Sequence, residues 1–133
     1  MKKTLMFLVL PLCISVLLVS CEKVNECSVC EEIFKIVTVK INSSPQSSVG
    51  FDEIYTLRIS TGEKIFNSMN ASPVDGNYVI LDDSYHPKLK NQSDLFKLIG
   101  VKNGVKVFEE PYELYGDKCH IGKRTGKETI TVN

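Results

Sequence analysis

The 133-residue sequence predicts an all-β protein, an antiparallel β-sandwich of about seven to eight strands in the manner of immunoglobulin-like or transthyretin-like domains. Three observations predict this fold. Apolar and polar residues alternate through most of the chain after residue 30, which is the period of a half-buried strand. Turn residues separate these alternating segments at short intervals. Sustained helical spacing of apolar residues is missing from the sequence.

The first predicted strand covers residues 33–41, where Val37, Val39 and Ile41 share one face. Residues 42–48 are rich in serine and contain a proline, and this composition predicts a loop.

The second predicted strand, residues 51–59, has the most regular alternation in the chain. It places Phe51, Glu53, Tyr55, Leu57 and Ile59 on one face and Asp52, Ile54, Thr56 and Arg58 on the other. A short strand is predicted at residues 63–67, a turn at 73–76 and a strand at 77–81. Residues 82–94 are predicted to form the longest irregular connection.

Two hairpins are predicted in the last third of the chain. Residues 95–102 and 105–109 flank Asn103-Gly104, a pair that favours a type I′ turn because both residues tolerate a positive φ. Pro111 is expected to end this ribbon. The second predicted hairpin joins residues 119–123 to 128–132. A helical turn is indicated at 93–98 alone, with Ser93 as its cap.

Residues 1–20 predict a cleaved lipoprotein signal peptide. Lys2 and Lys3 precede an apolar run at residues 5–19, which is shorter than the roughly 20 residues of a membrane-spanning helix. The run ends in Leu18-Val19-Ser20-Cys21, the pattern of a lipobox. We therefore expect Cys21 to carry the lipid, residues 21–29 to include a short tether, and residues 30–133 to form one domain in the bacterial envelope, at the outer membrane.

Charge narrows the range of partners. Of 16 basic residues, Lys2 and Lys3 leave with the signal peptide, so 14 remain against 16 acidic residues and the mature net charge is about −2. This balance argues against nucleic acid as a partner and against electrostatic attraction to anionic lipid as the main activity.

Cysteine usage predicts a disulfide. Cys13 leaves with the signal peptide and Cys21 is lipidated, so Cys27, Cys30 and Cys119 remain. The leading expectation is a Cys30–Cys119 bridge, and a Cys27–Cys119 bridge is the alternative. Two further hypotheses use the same residues, a redox role for the C-x-x-C pair and a zinc site built from Cys27, Cys30, Cys119 and His120.

The remaining candidates carry weaker signals. The sequence has neither a nucleophile-elbow serine motif nor a zinc-protease motif, so we expect no enzymatic activity, no catalytic residue and no cofactor. Aspartates in loops suggest a weak calcium site, and tyrosines suggest either core packing or a flat platform for sugars or peptides. The aspartates are Asp75, Asp82, Asp83 and Asp94, and the tyrosines are Tyr78, Tyr85, Tyr112 and Tyr115.

The chain resembles small bacterial lipoproteins that carry one immunoglobulin-like or transthyretin-like sandwich. The matching residues are the lipobox, the Cys-Glu-Glu sequence at 30–32, the turn at 75–78 and residues 117–121, and the turn is also similar to one in carboxypeptidase-regulatory-like domains. The resemblance implies an accessory or adhesive module in the envelope. We expect a non-enzymatic interaction or structural module. The alternatives are an accessory protein that binds glycan or peptide and a metal- or thiol-dependent protein.

Overall fold

A computed structural model describes residues 29–30, 32–43 and 50–132. In these residues the chain forms eight strands, two 3-10 helices (Ser68–Ala71 and Asp83–Tyr85) and one short α-helix, α1 (His86–Leu89). The strands are β1 (Ile36–Ser43), β2 (Glu53–Arg58), β3 (Lys64–Ile65), β4 (Asn77–Asp82), β5 (Gln92–Lys102), β6 (Val105–Gly116), β7 (Ile121–Thr125) and β8 (Thr129–Val132). The predicted all-β sandwich is confirmed.

The strands form two sheets with different pairing. The three-stranded sheet has the order β4-β1-β8, and the five-stranded sheet has the order β3-β2-β5-β6-β7. Every pairing is antiparallel except that of β1 with β8, which is parallel. The predicted hairpin of 119–123 with 128–132 is therefore wrong, because the chain leaves the five-stranded sheet after β7 and joins the other sheet as β8. Such a crossing is not visible in the local pattern, since both strands are short.

The core lies between the two sheets, and one face of each strand is buried in it. Ile54 and Thr56 are the buried residues of β2, so the face that holds Tyr55 and Leu57 points outward. The Thr56 hydroxyl donates a hydrogen bond of 2.6 Å to the carbonyl oxygen of Ile80. Ile80 lacks a partner on β1 because the β1–β4 register shifts there. A buried threonine thus satisfies a backbone carbonyl that the ladder leaves open.

The β5–β6 hairpin is confirmed and is longer than predicted. Asn103 and Gly104 have φ values of 51° and 71°, as a type I′ turn requires. Pro111 does not end the ribbon, which continues to Gly116. Strand β7 pairs with β6 only from Glu113 onward, so one edge of β6 is open at Pro111, and proline is tolerated at such an edge.

The predicted helical turn at 93–98 is also wrong, because this segment belongs to β5. Its residues Phe96 and Leu98 are fully buried, and β5 pairs with β2 on one side and β6 on the other. Pairing on both sides overrides a local capping signal. Helical structure lies instead in the connection at 82–94, which was predicted to be irregular. There Asp82 caps the second 3-10 helix by accepting from the Ser84 N–H.

Within the described residues, we find no helix that is long and apolar enough to cross a membrane.

Candidate functional site

A disulfide joins the beginning and the end of the described domain. Cys30 and Cys119 form this bridge across 89 residues of sequence, with their Cα atoms 5.4 Å apart. The predicted Cys30–Cys119 pair is thus present in the structure. Cys21, Cys27 and most of the predicted tether lie outside the described residues. We call the region around this bridge the disulfide junction, and define it as Cys30, Lys35, Asp83, Cys119 and His120.

The Asp83 carboxylate organises this junction. Its Oδ2 accepts from the Lys35 N–H at 2.7 Å, and its Oδ1 accepts from the Ile121 N–H at 2.9 Å. His120 Nδ1 also lies 2.7 Å from Oδ2. In return, the Asp83 N–H donates to the Lys35 carbonyl at 3.0 Å. One side chain therefore connects the approach to β1, the second 3-10 helix and the start of β7.

These hydrogen bonds outweigh the effect of burial on Asp83. Removal from water raises the pKa of a carboxyl group, but the bonds from Ile121, Lys35 and His120 favour its ionised form. The net result is that the pKa of Asp83 lies below its ordinary value. The junction is therefore held by a carboxylate that is charged at neutral pH.

A second aspartate shapes the turn that carries Cys119. The carboxylate of Asp117 accepts from the backbone N–H groups of His120 and Cys119, both at 2.7 Å. These two bonds are the main reason that the pKa of Asp117 is lowered. Its carbonyl oxygen lies 3.0 Å from His86 Nε2, which brings α1 to the same turn.

The hypothetical zinc site is not assembled in the described residues. Two of its four ligands, Cys30 and Cys119, are bonded to each other, and the described residues contain no group of three or more metal-binding side chains. The third described ligand, His120, contacts Asp83 through Nδ1, and its buried Nε2 has no hydrogen-bond partner. Disulfide sulfurs are not the thiolates that zinc requires, so the bridge and the metal site exclude each other.

The other polar candidates have separate structural tasks. Asp82 caps the second 3-10 helix, and Asp94 lies 2.6 Å from Arg58 Nε. Asp75 is exposed and is the second residue of the tight turn from Val74 to Asn77, with φ of 51°. They are not gathered into a calcium site. Three of the four tyrosines are buried, and the fourth, Tyr115, is half-buried beneath Arg124. The core-packing interpretation of the tyrosines thus agrees with the structure.

Apolar side chains are exposed on the outer side of the five-stranded sheet. Ile59 and Leu95 are neighbours there, because the Ile59 N–H donates to the Leu95 carbonyl at 2.9 Å. The exposed Phe66 ring packs on Tyr55 with centroids 5.7 Å apart, and Lys64 Nζ lies 4.3 Å from the Tyr55 ring centre. We call this surface the sheet face, and define it as Tyr55, Leu57, Ile59, Phe66 and Leu95.

A groove lies on the opposite side of the sandwich, outside the three-stranded sheet. It has a volume of about 320 Å³. Its floor includes Val79, and the first 3-10 helix forms one wall. That helix is held in place by Asn70, whose side chain makes two hydrogen bonds with the backbone of Val79, at 2.6 and 3.0 Å. The Asn70 amide thereby caps the edge of β4 as a neighbouring strand would.

Sequence reasoning missed most of this apolar surface. Phe66 precedes a short 3-10 helix and Met69 lies within it, and nothing in their local spacing shows that both are exposed. The alternation of β2 did contain a signal, since it placed Tyr55, Leu57 and Ile59 on one face. Deciding that this face points outward requires knowing that Ile54 and Thr56 pack against β4 and β5.

Comparison with known proteins yields no matching family model, no matching curated protein and no matching solved structure.

Proposed function

We propose that this chain is a lipid-anchored protein of the bacterial envelope that acts as a non-enzymatic interaction module. The observation that supports its binding role most directly is the sheet face. Scattered apolar residues are ordinary on protein surfaces, but neighbouring ones mark sites of contact. Ile59, directly after β2, is adjacent to Leu95 on β5, and Phe66 extends the same surface through its contact with Tyr55.

The composition of the sheet face suits a protein partner. Aromatic residues are enriched in protein interfaces, and Tyr55 and Phe66 supply two. Lys64, above the Tyr55 ring, adds a positive charge at the rim. Leu95 is 56% exposed and lies on β5, a central strand that is paired on both sides. The apolar side chains are therefore presented on a rigid support, and a partner does not have to order a loop on binding.

The disulfide junction supports the anchoring role. Cys30 is the ninth residue after Cys21, so a tether fixed at Cys21 would pull on the domain at Cys30. The bridge passes that pull to Cys119, and Asp83 connects the next segment, at Lys35, to β7. A domain closed in this way resists unravelling from its attached end.

The anchoring role is tested by producing the full chain in a bacterium beside a Cys21→Ala variant. We expect intact mass to show loss of residues 1–20 and addition of acyl chains in the wild type only. The variant should keep its full length, because lipoprotein cleavage depends on the modified cysteine. A wild-type chain of unmodified mass would contradict the anchoring role.

The binding role is tested by placing a photoreactive side chain at Leu95 and, as a control, at Thr131. Both positions are exposed on strands, but Thr131 lies on β8 in the other sheet. We expect one defined crosslinked product from position 95 in cells, and its loss when Ile59→Lys is added. Equal crosslinking from both positions would contradict a binding role for the sheet face.

A second candidate function, binding of a glycan or peptide, is favoured by a smaller cleft beside the sheet face. This cleft of about 290 Å³ is lined by Phe51 and Phe66 together with Asp52, Glu53 and Asn67. Aromatic rings beside carboxylate and amide oxygens can stack on a sugar ring and bind its hydroxyls. Titration with peptidoglycan fragments should shift the NMR signals of these residues, and Phe66→Ala should abolish the shifts. Unchanged spectra would exclude these fragments as ligands of the cleft.

A further inference from the structure

We propose that a second apolar surface, around the groove of the three-stranded sheet, lies against the bilayer that anchors the chain. This inference rests on the proposed anchoring at Cys21 and adds an orientation to it. The groove side would face lipid, and the sheet face, on the other side of the sandwich, would face away from the membrane.

The surface is formed by exposed apolar residues from separate parts of the chain. Ile36 of β1, Met69 of the first 3-10 helix and Val74 before β4 all line the groove. Each of the three is substantially exposed, Val74 the most. Polar residues also reach the groove, among them Thr38 and Asn77, but the large side chains around it are apolar. We call this surface the groove patch, and define it as Phe34, Ile36, Met69 and Val74.

Phe34, in the segment between the disulfide and β1, extends the same patch. Its side chain is more than half exposed. Phe34 precedes Ile36 by two residues, the spacing that keeps side chains on one face of an extended chain. The backbone of Lys35, between them, is held on both sides by Asp83, through its N–H and its carbonyl oxygen. Phe34 and Ile36 are thus carried on a segment that is fixed to the domain.

The length of chain before the domain identifies lipid as the occupant. Nine residues lead from Cys21 to Cys30, and a fully extended chain of that length spans roughly 30 Å. The groove patch begins at Phe34, four residues after the disulfide. An anchored domain therefore keeps this patch within reach of the bilayer at all times. Side chains such as Phe, Ile and Met insert into the boundary between headgroups and acyl chains without any need for basic charge.

The test uses tryptophan as a depth probe, because the chain contains none. Phe34→Trp is the reporter for the groove patch, and Leu95→Trp on the sheet face is its control. Phe34 and Leu95 are 59% and 56% exposed, and Leu95 lies on β5, a central strand of the other sheet. The full-length chain, processed in a bacterium, is reconstituted into phosphatidylcholine vesicles with brominated acyl chains, and fluorescence quenching is measured.

We expect bromine to quench the fluorescence of the Phe34→Trp variant at least twofold more than that of the Leu95→Trp variant. A Met69→Trp variant should be quenched as strongly as Phe34→Trp. Equal quenching of Phe34→Trp and Leu95→Trp would overturn the proposed orientation. Unquenched but blue-shifted emission from Phe34→Trp would also overturn it, because the patch would then be covered by protein, either a second copy or another segment of this chain.

Flotation of the same vesicles separates this inference from the proposed anchoring. A Phe34→Trp chain that floats while its emission stays unquenched overturns the bilayer contact and leaves the anchoring intact. A chain that does not float overturns the anchoring, and this inference with it. Adding Cys21→Ala to each variant gives the level of fluorescence quenching and of flotation without the lipid anchor.

Discussion

The two ends of the sandwich are closed by different kinds of interaction. At one end, the β5–β6 hairpin turns at Asn103-Gly104, and neighbouring residues in the chain supply the turn. At the other end, the disulfide junction joins segments that are far apart in sequence through Cys30–Cys119 and the Asp83 carboxylate. The turn of the first closure is set by two neighbouring residues, and the distant Asp52 carboxylate adds one hydrogen bond by accepting from the Asn103 N–H. The second closure consists entirely of contacts that exist only after the chain has folded. Substitutions at each end measure how much the two closures contribute to the free energy of unfolding.

The largest effect is expected from the disulfide. Replacing Cys30 and Cys119 together by alanine should lower the free energy of unfolding by about 4 kcal/mol, because the bridge closes a loop of roughly 90 residues in the unfolded chain. Urea unfolding of the variant and of the wild type with and without reductant measures this loss. A wild type that is insensitive to reductant would show that the bridge adds little to stability.

Asp83 should give the next largest effect. Asp83→Asn keeps the size of the side chain but removes its charge from three hydrogen bonds, with an expected loss of about 2–3 kcal/mol at pH 7. Because folding lowers the pKa of Asp83, its contribution is full above the unfolded-state pKa of about 3.9 and is lost as pH falls through the lower folded value.

The measurement is urea unfolding at pH 7 and at several values below pH 4. The difference between wild type and Asp83→Asn should shrink as the pH falls. Asp75→Asn is the control, because Asp75 is exposed and asparagine accepts the same positive φ. A difference that stays constant with pH would show that the charge of Asp83 is not what stabilises the junction.

One glycine near each end allows the same substitution to be compared. Gly116→Ala should cost about 2 kcal/mol, because the new Cβ would lie 2.6 Å from the Leu89 carbonyl oxygen and the backbone must shift. Gly104→Ala should cost about 1 kcal/mol, since its Cβ meets nothing and only the positive φ of 71° opposes it. Thermal unfolding followed by circular dichroism ranks the two variants. The reverse order would mean that α1 moves away easily and that the hairpin turn is the more rigid element.

The smallest effect is expected from Glu109, a carboxylate of β6 near the hairpin turn. The pKa of Glu109 is lowered to about 2 by Lys106 and Lys97, yet all three side chains are partly exposed. Glu109→Gln should therefore cost less than about 1 kcal/mol, and salt should reduce this cost further. NMR titration of the Glu109 carboxyl tests the shift in pKa, and unfolding at two salt concentrations tests the cost. If Glu109→Gln lowered the free energy of unfolding as much as Asp83→Asn does, carboxylates at the two ends of the sandwich would contribute equally, contrary to this prediction.

The residues that the sequence allowed us to predict share a local signal. Val37, Val39 and Ile41 alternate with polar residues along β1. The Asn103-Gly104 pair indicates the turn between β5 and β6 from two neighbouring residues. The Cys30–Cys119 pair was predicted because few cysteines remain to choose from. The failures at 93–98 and at the second hairpin have different causes. At 93–98 the local capping signal of Ser93 is overridden by the pairing of β5 with strands on both sides. At the second hairpin, the short apolar segments specify strands but not the strands with which they pair.

The sequence by itself determined the strand character of the chain and the turn at Asn103-Gly104, and it made Cys30–Cys119 the leading candidate for the disulfide that the structure contains. Only the tertiary structure decided that β8 runs parallel to β1, that Asp83 lies at the meeting point of three segments, and that Tyr55 and Leu57 face outward. The physical reason is that alternation and turn chemistry act between neighbours in the chain. Strand partners, buried carboxylates and the choice of the exposed face depend on contacts that form only when distant segments pack together.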